Sequence, residues 1–286
     1  MNRQSQTVPL FPSGRHLSSG VLALTLAGLA LGGVVFAGCG GAEPSDEAPE
    51  SAAGVATADN PQATPNTLTP EEIAEGWELL FDGGTSTGWR AYGRDSFPEG
   101  GWEIRDGAMI ILTSGDSDQM TGGDLVSEAE FENFDLRFEF RVTPVANSGV
   151  FYLVQEREGF DIWHLAPEYQ VLDDPAYIDM GEMDMEKHLT GENYDLHPAS
   201  VRPLRPQGEW NEGRILVDGQ HVEHWLNGQK MVEYEIRTPE WAALVAASKF
   251  NEYPDYGLAE SGPIGFQDHG GEVWYRNIKI RRLEGS

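Results

Sequence analysis

The 286-residue sequence contains a single cysteine, Cys39. No disulfide can therefore form within the chain, and stability has to come from buried apolar surface or bound ions. Positive charge is also scarce: 19 Lys and Arg stand against 47 Asp and Glu, a formal net charge of −28. So acidic a surface repels nucleic acid and other polyanions and argues against a phosphate-tracking role. It is compatible with a neutral sugar as ligand, and equally with solubility or a salty habitat. The apolar run at 21–31 is too short and too rich in small residues for a convincing spanning helix. There is no internal repeat, nucleotide-binding glycine loop or metal-spaced cysteine pair.

What the N-terminus does have is an export pattern. Arg3 and Arg15 precede that apolar run, and the segment closes on Phe36-Ala37-Gly38-Cys39. These four residues resemble the bacterial lipobox, in which small side chains fit a narrow peptidase pocket and the cysteine is acylated. Residues 1–38 are accordingly read as a lipoprotein signal peptide and Cys39 as the lipidation site, anchoring the protein to a membrane. Removing the signal takes away Arg3 and Arg15 only, so the mature charge is near −30. Residues 39–68 are dense in Ala, Pro, Ser, Thr and acid with few large apolar side chains. They cannot bury enough surface to offset their ordering entropy, and are expected to be a disordered tether. Gly40 differs from the Asp that retains enteric lipoproteins at the inner membrane. The expected location is the outer membrane, the periplasm or the cell surface.

From residue 69 onward the patterning is mostly β. Thr69-Pro70-Glu71-Glu72 opens a short helix with a capping hydroxyl, an early proline and acids at the positive end of the dipole. Residues 134–142 alternate apolar and charged without error, the mark of a half-buried antiparallel strand. Residues 77–81 and 273–280 also read as strands. Asp106-Gly107, Asp218-Gly219 and Asn227-Gly228 are hairpin signals between strand-like runs. One internal helix is expected over 239–247 with Thr238 as its N-cap. Many short strands with so little helix predict an all-β, two-sheet sandwich or jelly roll spanning 69–286.

The stretch richest in chemistry is Ala166-Pro167-Glu168-Tyr169-Gln170-Val171-Leu172-Asp173. On a strand, Glu168 and Gln170 share one face, with Tyr169 and Val171 on the other. Asp173 joins the polar pair only across a bulge or bend. The plainer reading is a half-buried strand with a polar outer face.

Seven strings, in order, carry a resemblance across residues 75–283. They are Leu80-Phe81-Asp82-Gly83 with Gly88-Trp89, Asn147-Ser148-Gly149, the 168–173 run, Gly208-Glu209-Trp210-Asn211, His224-Trp225-Leu226-Asn227-Gly228, Phe266-Gln267-Asp268-His269-Gly270, and Arg276-Asn277-Ile278. Together they resemble the 3-keto-disaccharide hydrolase family, long known as domain of unknown function 1080. The resemblance implies a concanavalin-like jelly-roll sandwich. It further implies cleavage of glycosides oxidised to a ketone at carbon 3, so the implied partners are a 3-keto glycoside and an upstream sugar 3-dehydrogenase that makes it.

A ketone at carbon 3 acidifies the carbon 2 proton, so a base plus enolate stabilisation permits elimination followed by hydration. The competing route is attack at carbon 1 by paired carboxylates. Glu168 is the expected base or nucleophile, Asp173 a second acid or orienter, and Gln170 a donor to sugar hydroxyls or the enolate oxygen. His269 is an expected acid, the other reading being a hydrogen-bonded structural histidine, and Asp268 beside it is an expected substrate contact. Asn147 either lines the cleft or serves the Asn-Ser-Gly turn. Lys249, in Ser248-Lys249-Phe250, either neutralises an enolate or forms a surface ion pair. Trp210 and Trp225 either stack on sugar or pack in the core.

Two departures from the family pattern stand out. Gly191-Glu192-Asn193-Tyr194-Asp195-Leu196 is polar at two positions where relatives tend to be small or apolar, so substrate choice is expected to differ if this loop rims the cleft. The Met180–Glu186 insert is acidic and Met-rich. A divalent cation is one reading of those acids and a solvated loop the other; no ligand is named. The alternative function is a carbohydrate-binding lipoprotein without catalysis, decided by whether Glu168, Gln170, Asp173 and His269 converge in one pocket. A module docked to a redox partner is a third reading.

Overall fold

The computed structural model describes residues 64–113, 122–181 and 186–285. The expected signal peptide, Cys39 and most of the expected tether lie outside these residues. Helix α1 (Pro70–Ala74) begins with the expected capping box, Thr69 accepting the Glu72 N–H while Glu72 reaches back to the Thr69 N–H. Thirteen strands follow among the described residues: β1 (Trp77–Leu79), β2 (Trp89–Ala91), β3 (Trp102–Arg105), β4 (Ala108–Ile111), β5 (Leu125–Phe131) and β6 (Phe134–Val142) come first. Next are β7 (Asn147–Phe151), β8 (Glu168–Leu172), helix α2 (Asp174–Met180), β9 (Asn211–Asp218), β10 (His221–Leu226) and β11 (Gln229–Glu235). Helix α3 (Pro239–Ala246), β12 (Gly262–Phe266) and β13 (Val273–Arg282) complete the set.

The strands form two antiparallel sheets, as the patterning predicts. The larger runs β11-β10-β9-β6-β13-β4-β3 with β1 also paired to β13, and the smaller runs β2-β5-β12-β7-β8. The hairpin signals act as expected. Asp106 and Gly107 both take positive φ, as do Asn227 and Gly228, giving two-residue turns whose twist matches their strands. In the third, Asp218 closes β9 and the loop is Gly219-Gln220.

Apolar side chains from both sheets fill the layer between them. Phe138 of β6 meets the Tyr169 ring edge-on at 5.4 Å, and Phe266 of β12 lies 4.4 Å from Tyr275 of β13. Gly213 on β9 leaves the space Phe138 needs; a Cβ there would come within 2.3 Å of the ring. Full burial of one such ring contributes about 2–3 kcal/mol. Tyr169 and Val171 belong to this core, which forces Glu168 and Gln170 to the opposite face of β8.

The charged positions of β6 face outward on the larger sheet. Asp135, fully buried, accepts from Arg214 at 2.7 Å and lies 3.7 Å from Arg137. Trp210 is covered by Arg276 and Arg141, with guanidinium carbons 3.9 and 4.9 Å from its ring, and Trp225 by Arg214 and Lys230. Neither tryptophan is in the core or in the cleft described next. Both are the aromatic half of cation–π pairs on the outer face.

Candidate active site

The outer face of the smaller sheet carries a row of residues set directly by strand register. Tyr92, Asp124, Gln267, Gly149 and Gln170 sit side by side, one from each strand or its immediate extension, in the order β2, β5, β12, β7, β8. The Tyr92 N–H donates to the Asp124 carbonyl at 2.8 Å and the Gln267 N–H to that of Gly149 at 2.9 Å, which continues the ladder past the strand ends. Glu168 lies one row along from Gln170. A Cβ built on Gly149 would fall 2.1 Å from Glu168 Oε1, so the carboxylate lies over the bare backbone of β7.

Strand β8 is the edge of its sheet, and the segment after α2 seals it. The Gly191 N–H donates to the Gln170 carbonyl at 2.9 Å, the Gln170 N–H to that of Glu192 at 3.2 Å, and the Tyr194 N–H to that of Glu168 at 3.1 Å. This covers an edge that would otherwise pair with another chain and delivers Tyr194 to the rim. A turn at Ile162–His164 brings Trp163 over the same space, and the turn after α3 brings Lys249.

Together these elements enclose a cleft of about 450 Å³, a size typical of small-molecule sites. Glu168, Gln170, Asn147, Lys249 and His269 all line it, together with Asp124, Asp161, Trp163, Tyr194, Tyr92, Gly123 and Gln267. Asn147 Oδ1 is buried with no hydrogen-bond partner among the described residues, which leaves an acceptor for a ligand hydroxyl. His269 is exposed at the margin.

One buried carboxyl, Glu168, and one half-buried carboxyl, Asp124, share this space. Burial pushes Glu168, 4% exposed, up to about 8; the Lys249 ammonium opposes the shift and Asp124 adds to it. Burial likewise lifts Asp124 to about 7, against the hydrogen bond it accepts from the Asp268 N–H and with the charges of Asp268 and Asp161 adding to the rise. Both therefore hold protons near neutrality, the range useful for acid–base work. Lys249 is exposed at the rim, and the desolvation of its ammonium by the surrounding rim lowers its pKa, while Glu168 and Asp195 favour its charged form. Its Nζ lies 4.0 Å from the centre of the Tyr194 ring and 5.1 Å from that of Trp163. No ion pair to Lys249 forms within 4 Å among the described residues, so the surface ion-pair reading does not hold.

Two expectations from sequence need correction. Asp173 does not join Glu168, because β8 pairs with β7 in continuous register and no bulge turns the chain. Its carboxylate instead accepts the Val145 N–H at 2.8 Å and Gln207 Nε2 at 2.7 Å, beside a separate hollow lined by Leu172, Ile178 and Leu204. Asp268 is fully buried beneath the cleft rather than lining it. Its oxygens accept the Gly122 and Gly270 N–H groups, tying the turn that carries His269 to the Asp124 segment.

The loop departures also resolve. Glu192 and Asn193 are fully buried and point away from the cleft. Glu192 accepts from the Leu189 and Ala199 N–H groups and from Arg202, and the Asn193 amide meets His197 Nδ1. The loop rims the cleft through Tyr194, so the two divergent positions support the rim without touching what it holds.

Of the acidic insert, residues 182–185 lie outside the described residues. A His221, Glu223 and Glu233 group elsewhere has ligand atoms within 4.8 Å of one another. Lys230 already bonds both of its carboxylates.

Sequence reading missed Asp124, Asp161, Trp163, Tyr92 and Gln267. Gln267 sits inside a string already singled out, and Gly122-Gly123 before Asp124 was a usable turn signal. Nothing local distinguishes Asp161 or Trp163, which a loop carries in.

With this geometry in hand, similarity to known proteins is informative. Residues 76–281 match the 3-keto-alpha-glucoside-1,2-lyase-like domain family. The chain belongs to that family. Within it, a 3-keto-disaccharide hydrolase of Bacteroides thetaiotaomicron is 37% identical over 233 residues, covering 74% of this chain and 80% of the relative. A crystal structure of a candidate glycosyl hydrolase from Parabacteroides distasonis superimposes with a TM-score of 0.69 at 33% identity, covering 77% of this chain and all of the other. A second from the same organism gives 0.51 at 26% identity, over 68% of this chain and 99% of that one. These likenesses and the two sheets define a jelly-roll sandwich.

Proposed function

We propose that this domain cleaves glycosides whose sugar ring bears a ketone at carbon 3, by elimination across carbons 1 and 2 followed by hydration. The observation that carries the reading is the pairing of Glu168 with Lys249: a buried carboxyl with no hydrogen-bond partner among the described residues, facing an ammonium across an open cleft. A carboxylate raised by burial is a strong base for a carbon acid, and a nearby cation stabilises the enolate oxygen that forms. Glu168 takes the carbon 2 proton, Lys249 faces the carbon 3 oxygen, and the carbon 1 oxygen departs. Asn147 and Gln170 bind ring hydroxyls, while Trp163 and Tyr194 offer apolar faces to the ring. The name of the Bacteroides relative supports the substrate class.

The setting we propose is the cell envelope, with Cys39 lipidated and the domain tethered outside the cytoplasm. The support is the signal and lipobox pattern of the sequence. A sugar 3-dehydrogenase is required upstream, since nothing in hydrolysis makes the ketone.

Turnover of 3-keto-trehalose and 3-keto-glucosides by the purified protein tests the reading, with unoxidised sugars as controls. The expected result is release of 3-ketoglucose from oxidised substrates only, lost in Glu168→Gln. In D2O, elimination and hydration place deuterium on carbon 2 of the released sugar. Product without that label would instead support direct attack at carbon 1. A folded protein that binds glycans without turnover would favour the binding-lipoprotein alternative. Labelling with a fatty-acid probe, lost in Cys39→Ser, tests the anchor.

A further inference from the structure

We infer that Asp124 is the second catalytic residue of this cleft, the acid that hands a proton to the departing carbon 1 oxygen and recovers one from water during hydration. The inference rests on the elimination reading above and assigns the step which that reading left without a residue.

The argument is positional. Asp124 and Gln170 stand three inter-strand steps apart in the row, with Gln267 and Gly149 between them. At about 4.8 Å per step their backbones are some 14 Å apart, a span that two inward-pointing side chains narrow to about one sugar ring. Glu168 leans inward over Gly149, toward Asp124. Lys249 stands at the Glu168 end. If carbons 2 and 3 sit against Glu168 and Lys249, carbon 1 and its oxygen point across the row toward Asp124.

The surroundings suit an acid. Asp124 is lifted to about 7 by burial with two further carboxylates, Asp161 and Asp268, in its vicinity. One of its oxygens accepts the Asp268 N–H at 2.9 Å, which fixes its direction. His269, the other candidate at this end, is exposed and has no such tie among the described residues.

The proton count closes. Glu168 gains the carbon 2 proton as electrons move to the carbon 1–carbon 2 bond. The carbon 1–oxygen bond breaks, and the oxygen takes the Asp124 proton. Water then adds its hydroxyl to carbon 1 and its proton to Asp124, while Glu168 returns a proton to carbon 2. Both carboxyls end as they began, with one water consumed.

Leaving-group dependence tests this. Wild type, Asp124→Asn and His269→Ala are compared on 3-keto methyl glucoside and 3-keto 4-nitrophenyl glucoside, whose phenolate departs without protonation. Asp124→Asn is expected to lose about 10²–10⁴ in kcat/KM on the methyl glycoside and under about tenfold on the nitrophenyl one. It should also retain deuterium exchange at carbon 2, which Glu168 performs, so a misfolded variant is recognised. Equal loss on both substrates, loss of exchange together with cleavage, or leaving-group dependence in His269→Ala rather than Asp124→Asn would overturn the assignment while leaving the substrate reading intact. Absence of wild-type turnover on either 3-keto glycoside would overturn both.

Discussion

Glu168 occupies the space that a side chain on Gly149 would fill, its Oε1 lying 2.1 Å from where that Cβ would be. Gly149 has ordinary strand geometry, so its missing Cβ serves Glu168 and not the backbone. Gly149→Ala is therefore expected to expel the carboxylate from its place. A misplacement of about 1 Å costs roughly 10²-fold in rate. Steady-state kinetics should show kcat falling at least that far, and combining the substitution with Glu168→Gln should add little further.

Burial of Glu168 costs stability that Glu168→Gln should return. The unfolded carboxyl ionises near its ordinary value of 4.5 and the folded one only near 8. Between these the folded state holds the extra proton, so wild-type stability falls as pH rises through that window. The penalty above pH 8 is on the order of 5 kcal/mol. Thermal denaturation should show Glu168→Gln gaining several degrees over wild type at pH 9 and almost nothing at pH 5.

The same two carboxyls shape the rate profile. The proposed reaction needs Glu168 ionised and Asp124 protonated, with Asp161, Asp268, Lys249 and His269 as titratable neighbours. A plot of kcat/KM against pH is expected to be a narrow bell with apparent limbs at about 7 and about 8, belonging to the pair. In Asp124→Asn the alkaline fall should disappear.

Lys249→Met removes the ammonium that favours ionised Glu168. The acid limb should move to higher pH, and kcat should fall by about 10²–10³, the usual loss for one enolate-stabilising group. A KM effect alone would reduce Lys249 to a binding contact.

Asp173→Ala should separate structure from catalysis. It leaves the Val145 N–H without its acceptor and frees Gln207. A stability loss of about 1–3 kcal/mol is expected in urea titrations, with kcat within about twofold of wild type.

How far the chain could be read in advance follows from what kind of rule applied. Period-two alternation placed β6 and β13, and turn chemistry placed the hairpins, because both are local. Alternation also put Glu168 and Gln170 on one face before any packing was known. Asp173 looked equally promising one step on, and only the unbroken register of β8 against β7 removed it.

The sequence by itself determined a β-sandwich and one strand bearing a buried acid, since each is written in neighbouring residues. The tertiary structure decided the rest. Asp124 stands 44 positions before Glu168 and Lys249 stands 81 after it, and no spacing rule joins them. Antiparallel pairing laid Asp124, Gln267, Gly149 and Gln170 in one row, while the turns at 162–164 and 249–252 closed over it. Protonation was decided there too, because a carboxyl's pKa reflects the water it has lost and the charges brought beside it, neither of which exists along an extended chain.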